Sequence, residues 1–109
     1  MLSVRLYLLQ RISAMVMAPL VAGHLAVMIV AVQDGLSAAE ILSRTQGSLA
    51  WALFYGLFVI AVAVHAAIGV RVVAHEVLKI SGGQLTALTW VVGLGLLTLG
   101  GRAVVAVVM

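Results

Sequence analysis

A histidine lies inside an uncharged apolar run, with a glycine one helical turn later and an arginine near the run's end: His65, Gly69 and Arg71. An imidazole within a membrane costs free energy unless it has a partner, so such residues are functional by default. Neutral imidazole is the commonest metal ligand and a normal axial ligand of haem iron. Gly69 shares a face with His65 and would admit a flat macrocycle or another helix. These residues alone leave two readings open, a metal ligand and a histidine bonded to a neighbouring helix.

A second histidine, His24, lies in the preceding apolar run, 13 residues after Arg11. On a helix this separation is about 20 Å, whereas His65 lies about 9 Å from Arg71. The two imidazoles are therefore expected at different depths, which suits two stacked sites better than one shared site. The alternative for His24 is a packing histidine that is hydrogen-bonded across helices.

Arg11 and Ser13 place a cation and a hydroxyl at the start of the first apolar run. Such a pair could bind a quinone carbonyl or a haem propionate through charge-assisted hydrogen bonds. Without other information an arginine there is a positive anchor at the membrane surface. His75, beside Glu76, is interpreted as a headgroup-level residue.

Composition defines the class of protein. The 109 residues are 65% hydrophobic and 8% charged, whereas a soluble domain carries about a quarter charged residues. The chain has no cysteine, so it offers no disulfide, no thiolate nucleophile and no cysteine ligand for an iron–sulfur cluster. Its net charge of +3 comes from residues scattered at the ends of apolar runs, which does not indicate a nucleic-acid partner.

The elements that must position these residues are three membrane-spanning helices, since each apolar run is long enough to cross a bilayer. We predict an all-α membrane protein, up-down-up, forming one membrane domain over 1–109. A short interfacial lead-in over 1–10 precedes the first span. The spans are expected at about 11–32, 49–73 and 85–103, the second continuing as a helical turn through Lys79. Ser37 and Glu40 have capping-box spacing and predict a short surface helix that ends at Gly47.

Lys and Arg placement predicts a cytoplasmic N-terminus, because positive charge is retained on that side. Four basic residues fall on the side of the N-terminus and the second turn: Arg5, Arg11, Arg71 and Lys79. Two fall on the opposite side, Arg44 and Arg102. Glycines in the second and third spans indicate close helix packing. Three helices enclose a cofactor poorly, so a partner with its own transmembrane helices is expected.

These residues resemble a known family. The segment from His65 through Gly69 and Arg71 to Glu76 is similar to the His-x-x-x-Gly-x-Arg…Asp signature of membrane anchor subunits of succinate dehydrogenase and fumarate reductase (respiratory complex II). Gln10-Arg11-Ile12-Ser13-Ala14 resembles their His-Arg-x-Ser-Gly motif at the start of the first helix. The three-span layout agrees, and the resemblance covers nearly the whole chain.

The resemblance implies a non-catalytic subunit of a succinate:quinone oxidoreductase in a bacterial inner membrane. A second anchor subunit, an iron–sulfur subunit and a flavoprotein subunit are its implied partners, and electrons pass to a quinone in the membrane. The position matching His65 is an axial ligand of haem b, with Gly69 and Arg71 in the same signature. The positions matching Arg11 and Ser13 lie at the quinone site, and Arg11 is also placed to neutralise a haem propionate.

Departures from the family pattern affect the quinone site. Gln10 replaces the usual histidine, Ala14 replaces the glycine, and Glu76 replaces the aspartate. Tyr7 stands where a serine is expected and retains a hydroxyl that can donate a hydrogen bond. His24 resembles the first-helix histidine of two-haem members, so one haem and two haems both remain open.

Two alternatives were considered for the function. A haemless anchor, as in some fumarate reductases, would make His65 a packing residue. A small structural or transport subunit without a redox role would explain the glycines and topology but not two buried histidines.

Overall fold

The computed structural model describes residues 3–109, which form four helices: α1 (Val4–Asp34), α2 (Ala38–Thr45), α3 (Leu49–Glu76) and α4 (Gly82–Val108). Three of them, α1, α3 and α4, are long and apolar enough to cross a membrane. The shortest of these has 27 residues, so it is about 40 Å long against a hydrocarbon core of about 30 Å. The described residues contain no strand, and the prediction of an all-α membrane protein with three spanning helices is confirmed.

The central helix of the bundle is α3, which packs against both α1 and α4. The start of α1, the end of α3 and the start of α4 come together around one cleft, and this part of the molecule is called the cleft end below. The short helix α2 lies at the opposite end, where it packs on α4 and α1. Because α1 and α3 run in opposite directions, Ser13 lies level with His65.

The start of α1 and the end of α4 differ from the prediction. The helix α1 begins at Val4, capped by the Ser3 hydroxyl, so most of the predicted lead-in is already helical; its first two residues lie outside the described part. No Gly or Pro interrupts the chain between Val4 and Arg11, so the helix has no reason to start later. The helix α4 continues to Val108, five residues past the predicted end.

The predicted continuation of the second span through Lys79 is wrong, because α3 ends at Glu76. Lys79 has φ 59, in the left-handed region, which ends a right-handed helix. Its ammonium still donates to the Glu76 carbonyl at 2.8 Å, so its charge serves the helix C-terminus from outside the helix.

The short helix α2 begins as predicted, since the Ser37 hydroxyl accepts a hydrogen bond from the Glu40 amide at 3.2 Å. It is joined to the end of α4 by the hydroxyl of Thr45, which donates to the Val107 carbonyl. A helix C-terminus leaves carbonyls without partners, and α2 supplies a donor to one of them. This contact fixes the connection between α1 and α3 against α4.

The interior of the bundle consists mostly of small side chains. Four buried alanines belong to α3: Ala61, Ala63, Ala67 and Ala74. Small residues let helix backbones approach closely, which is how membrane helices associate. Two glycines of α4 lie at such close contacts with α3. A Cβ at Gly93 would lie 3.3 Å from Ala67, and one at Gly100 would lie 2.6 Å from Val59.

Three other glycines of the spans have open space beside them within residues 3–109. A Cβ at any of them would have no neighbour within 4 Å: Gly56, Gly95 and Gly101. Large apolar side chains such as Leu53 and Leu94 are likewise exposed, which suits a surface in contact with lipid or another transmembrane helix.

Candidate functional site

The His65 imidazole lies against Ser13 at the contact between α3 and α1. The distance from Ser13 Oγ to His65 Nδ1 is 3.3 Å, and Ser13 Oγ donates to the Gln10 carbonyl at 2.9 Å. Ser13 is only 6% exposed, and His65 is half-buried. The sequence predicts a partner for this histidine, either a residue of a neighbouring helix or a metal. The nitrogen Nδ1 has a partner of the first kind, since Ser13 belongs to α1.

Gln10 covers the glycine that follows His65 by one helical turn. A Cβ at Gly69 would lie 3.6 Å from Gln10 Nε2, so the space beside this glycine holds a side chain of α1. Among the described residues, Gln10 Oε1 is a buried polar atom without a hydrogen-bond partner. Such an atom costs about 1–3 kcal/mol when it stays unsatisfied, so the site is built to receive a donor.

His24 has aromatic surroundings and lies apart from His65. Its ring is 5.1 Å from that of Phe58 and 6.1 Å from that of Tyr55. Because Phe58 precedes His65 by seven residues on α3, the two histidines are separated by roughly 10 Å or more along the bundle. The expected difference in depth between the two imidazoles is present, and each belongs to its own environment.

A cleft of about 600 Å³ opens at the cleft end of the bundle. Its polar lining comes from the start of α1, the end of α3 and the turn before α4: Ser3, Tyr7, Arg71, His75, Glu76 and Ser81. Arg71 is fixed in position by Thr89 of α4, whose hydroxyl accepts from Arg71 Nη1 at 3.3 Å and donates to the Leu85 carbonyl at 2.8 Å. The cleft thus combines a phenol, a cation, an imidazole and a carboxylate in a largely apolar surface.

The residues predicted for quinone binding do not form one cluster. Tyr7 lines the cleft, and its hydroxyl accepts a hydrogen bond from Arg11 Nη1 at 3.4 Å. Arg11 itself is exposed, with its guanidinium carbon 5.8 Å from the centre of the Tyr7 ring. Ser13 points instead to His65, so the structure joins Tyr7 and Arg11 and separates Ser13 from them.

Sequence reasoning missed Thr89 and did not foresee the contact that His75 makes. Thr89, which fixes Arg71, was not singled out, although a hydroxyl in an apolar span needs a partner. His75 was interpreted as a headgroup-level residue, but its Nδ1 donates to the Ile80 carbonyl at 3.0 Å while its ring lines the cleft. That contact depends on how the turn folds back, which no local pattern indicates.

A haem is compatible with the donors at His65. Residues 3–109 hold no group of three or more His, Asp or Glu side chains that could bind a metal ion. A porphyrin supplies its own four nitrogens and needs from protein only axial ligands. His65 engages Nδ1 with Ser13, which leaves Nε2 for such a role.

The fold and these buried polar residues define a multi-pass helical membrane protein with an intramembrane imidazole and a cleft at one end. The chain belongs to the family of succinate dehydrogenase/fumarate reductase transmembrane subunits, whose family model matches residues 2–101. The suspected resemblance is therefore confirmed, and a structural or transport subunit of another class is no longer needed as an alternative. No curated protein and no solved structure matches the chain.

Proposed function

We propose that the chain is the haem-b-binding anchor of a succinate:quinone oxidoreductase, and that it docks the iron–sulfur and flavoprotein subunits and helps form the quinone site. The observation that carries the proposal is the His65 imidazole, held by a buried Ser13 through Nδ1 in a member of this family. A purely structural histidine would explain the hydrogen bond. It would not explain why Nε2 of the same ring, inside a spanning helix, has no hydrogen-bond partner among residues 3–109.

In this proposal His65 supplies one axial nitrogen to haem b, and a histidine of the second anchor subunit supplies the other. A haem bound there would supply one-electron redox chemistry, and His65 would hold it. Arg71 is half-buried, and the hydrogen bond of its side chain within residues 3–109 goes to the neutral Thr89. Its positive charge suits a haem propionate or an anionic headgroup. Gly69 leaves room on α3 for the Gln10 side chain of α1, which lies beside it.

His24 is assigned to a second haem nearer the opposite end of the bundle. Its ring contacts Phe58 and Tyr55, and no hydrogen bond from residues 3–109 occupies its nitrogens. An intramembrane imidazole with free nitrogens needs a partner, and in this proposal the partner is iron. The second axial ligand again comes from the other anchor subunit.

The quinone headgroup is assigned to the cleft. Its volume of about 600 Å³ lies within the usual range for small-molecule sites, about 300–1,000 Å³. Tyr7 would donate a hydrogen bond to one quinone oxygen, with Arg11 behind it as the charge that polarises the phenol. A quinone takes up two electrons and two protons, and His75 and Glu76 are the titratable groups lining this site. Ser13, already bonded to His65, is no longer assigned to the quinone.

The orientation follows from charge. In the proposal the cleft end, with Arg5, Arg11 and Arg71, faces the cytoplasm of a bacterial cell, where the iron–sulfur subunit docks. The lipid-facing surfaces of α1 and α4 provide the contact for the second anchor. Electrons then enter the membrane at the same end as the cleft, which keeps the transfer distance to quinone short.

The proposal is tested by purifying the tagged full chain from detergent-solubilised membranes of its native host. The expected complex contains flavin, iron and b-type haem, and it reduces quinone with succinate. Flavin and iron without haem would replace the proposal with the haemless anchor of a fumarate reductase. A preparation with no flavin would contradict the docking role.

A further inference from the structure

We infer that Ser13 is a positioning residue that fixes the proton of His65 on Nδ1 and so leaves Nε2 without a proton. The inference rests on the proposed function only in naming iron as the group that Nε2 would bind. The position of the proton is a property of this chain alone. It gives Ser13 a role different from contact with a quinone.

The argument begins with the single proton of the Ser13 hydroxyl. A backbone carbonyl accepts and never donates, so the 2.9 Å contact with the Gln10 carbonyl uses that proton. This back-bonding to a carbonyl one turn earlier is a known habit of serine in helices. The contact with His65 Nδ1 is longer, 3.3 Å, as expected for the weaker of the two bonds.

With its proton directed to Gln10, Ser13 Oγ can only accept from His65. The imidazole nitrogen Nδ1 must therefore carry the hydrogen, and in a neutral imidazole the other nitrogen is then bare. A metal binds the ring nitrogen that carries no proton. The hydrogen bond at the other nitrogen determines which of the two nitrogens that is. Ser13 thus selects the ligating form before any haem arrives.

Burial makes this selection effective. Ser13 is 6% exposed, so little lipid or water competes for its hydroxyl. Hydrogen bonds are electrostatically stronger in such a low-dielectric interior. A partner on the non-ligating nitrogen also raises the basicity of a metal-bound imidazole. A more basic ligand favours ferric iron, so the Ser13 hydroxyl should lower the midpoint potential of the haem that His65 binds.

The proton position is tested first without haem. The full chain is labelled with ¹⁵N-histidine in lipid bilayers, and the His65 signals are assigned by their absence in His65→Gln. The wild-type ring should show a protonated Nδ1 and a bare Nε2. Ser13→Ala should give a mixture of the two neutral forms, and Ser13→Thr, which keeps the hydroxyl, should restore the single form. Ser43→Ala is the matched control, because Ser43 bonds a carbonyl one turn back in α2 without touching a histidine.

A wild-type His65 protonated on Nε2 would overturn the inference, and so would Ser13→Ala keeping a single form with the proton on Nδ1. If Ser13→Ala does not fold, the wild-type spectrum and Ser13→Thr still decide. The second measurement is a potentiometric titration of haem in the purified complex. The b-type potential should rise in Ser13→Ala and stay unchanged in Ser43→Ala; an unchanged potential in Ser13→Ala contradicts the tuning role. A complex without haem would refute the proposed function and leave the proton assignment standing.

Discussion

Gly100 of α4 packs directly onto Val59 of α3, so closely that a methyl group on Gly100 would lie 2.6 Å from one Val59 methyl and 2.9 Å from the other. The Cβ of Val59 would lie 3.3 Å from the added atom, and rotating the valine side chain does not move that contact. The absence of a side chain at Gly100 therefore sets the distance between the two helices. That distance also determines where Arg71 meets Thr89 further along the same contact.

Gly100→Ala is expected to destabilise the bundle by about 1–2 kcal/mol. Overpacking costs about 1–3 kcal/mol, and the higher helix propensity of alanine returns up to about 1 kcal/mol. The measurement is the free energy of unfolding of the full chain in mixed micelles, titrated with a denaturing detergent and followed by circular dichroism.

Gly95→Ala is the matched control for that substitution, since it lies in the same helix with no neighbour within 4 Å of the added atom. It should be neutral or slightly stabilising. Equal stabilities for the two variants would show that α3 and α4 do not approach as closely as the structure indicates.

Tyr7→Phe is expected to raise the KM for quinone by roughly 2- to 10-fold, the cost of one neutral hydrogen bond of about 0.5–1.5 kcal/mol. Electron transfer from succinate to a water-soluble acceptor should not change, because that reaction does not use the membrane cleft. Steady-state kinetics on the purified complex with both acceptors provide the measurement.

Tyr55→Phe is the control for Tyr7, because Tyr55 lies beside His24, away from the cleft. It should leave the KM for quinone at its wild-type value. If both tyrosine variants raise the KM alike, or neither does, quinone does not bind at Tyr7.

His24→Phe is expected to remove one of two b-type haems while leaving flavin content unchanged. Phenylalanine keeps an aromatic ring against Phe58, so packing survives while the ligating nitrogen is lost. The haem-to-flavin ratio of the purified complex measures the effect. A ratio equal to that of the wild type would make His24 a packing histidine and reduce the account to one haem.

The three spans and α2 could be predicted because their signals are local. Apolar length identifies a membrane helix, and the serine of α2 forms its capping hydrogen bond with the amide three residues on, as the spacing indicated. The errors lie at the ends of helices. After α3 ends, the chain turns through a left-handed backbone conformation at Lys79. The fold of that turn imposes this conformation, and no residue pattern indicates it.

The candidate site could be predicted only as a set of residues. The sequence singled out His65, Ser13 and Tyr7, but it grouped Ser13 with the quinone residues because Ser13 and Arg11 belong to the same motif on α1. Pairing Ser13 with His65 requires the register between α1 and α3, which side-chain spacing along one helix cannot supply. Thr89 was missed for the same reason, since its importance comes from Arg71 across a helix contact.

The most direct test of the central claim is the dithionite-reduced minus oxidised absorption spectrum of the purified complex carrying His65→Ala. Flavin content, measured on the same sample, shows whether the complex has assembled. The account predicts that the variant retains flavin and loses the b-type bands of the haem that His65 binds. A variant that retains flavin and shows the full wild-type b-type bands would contradict the account.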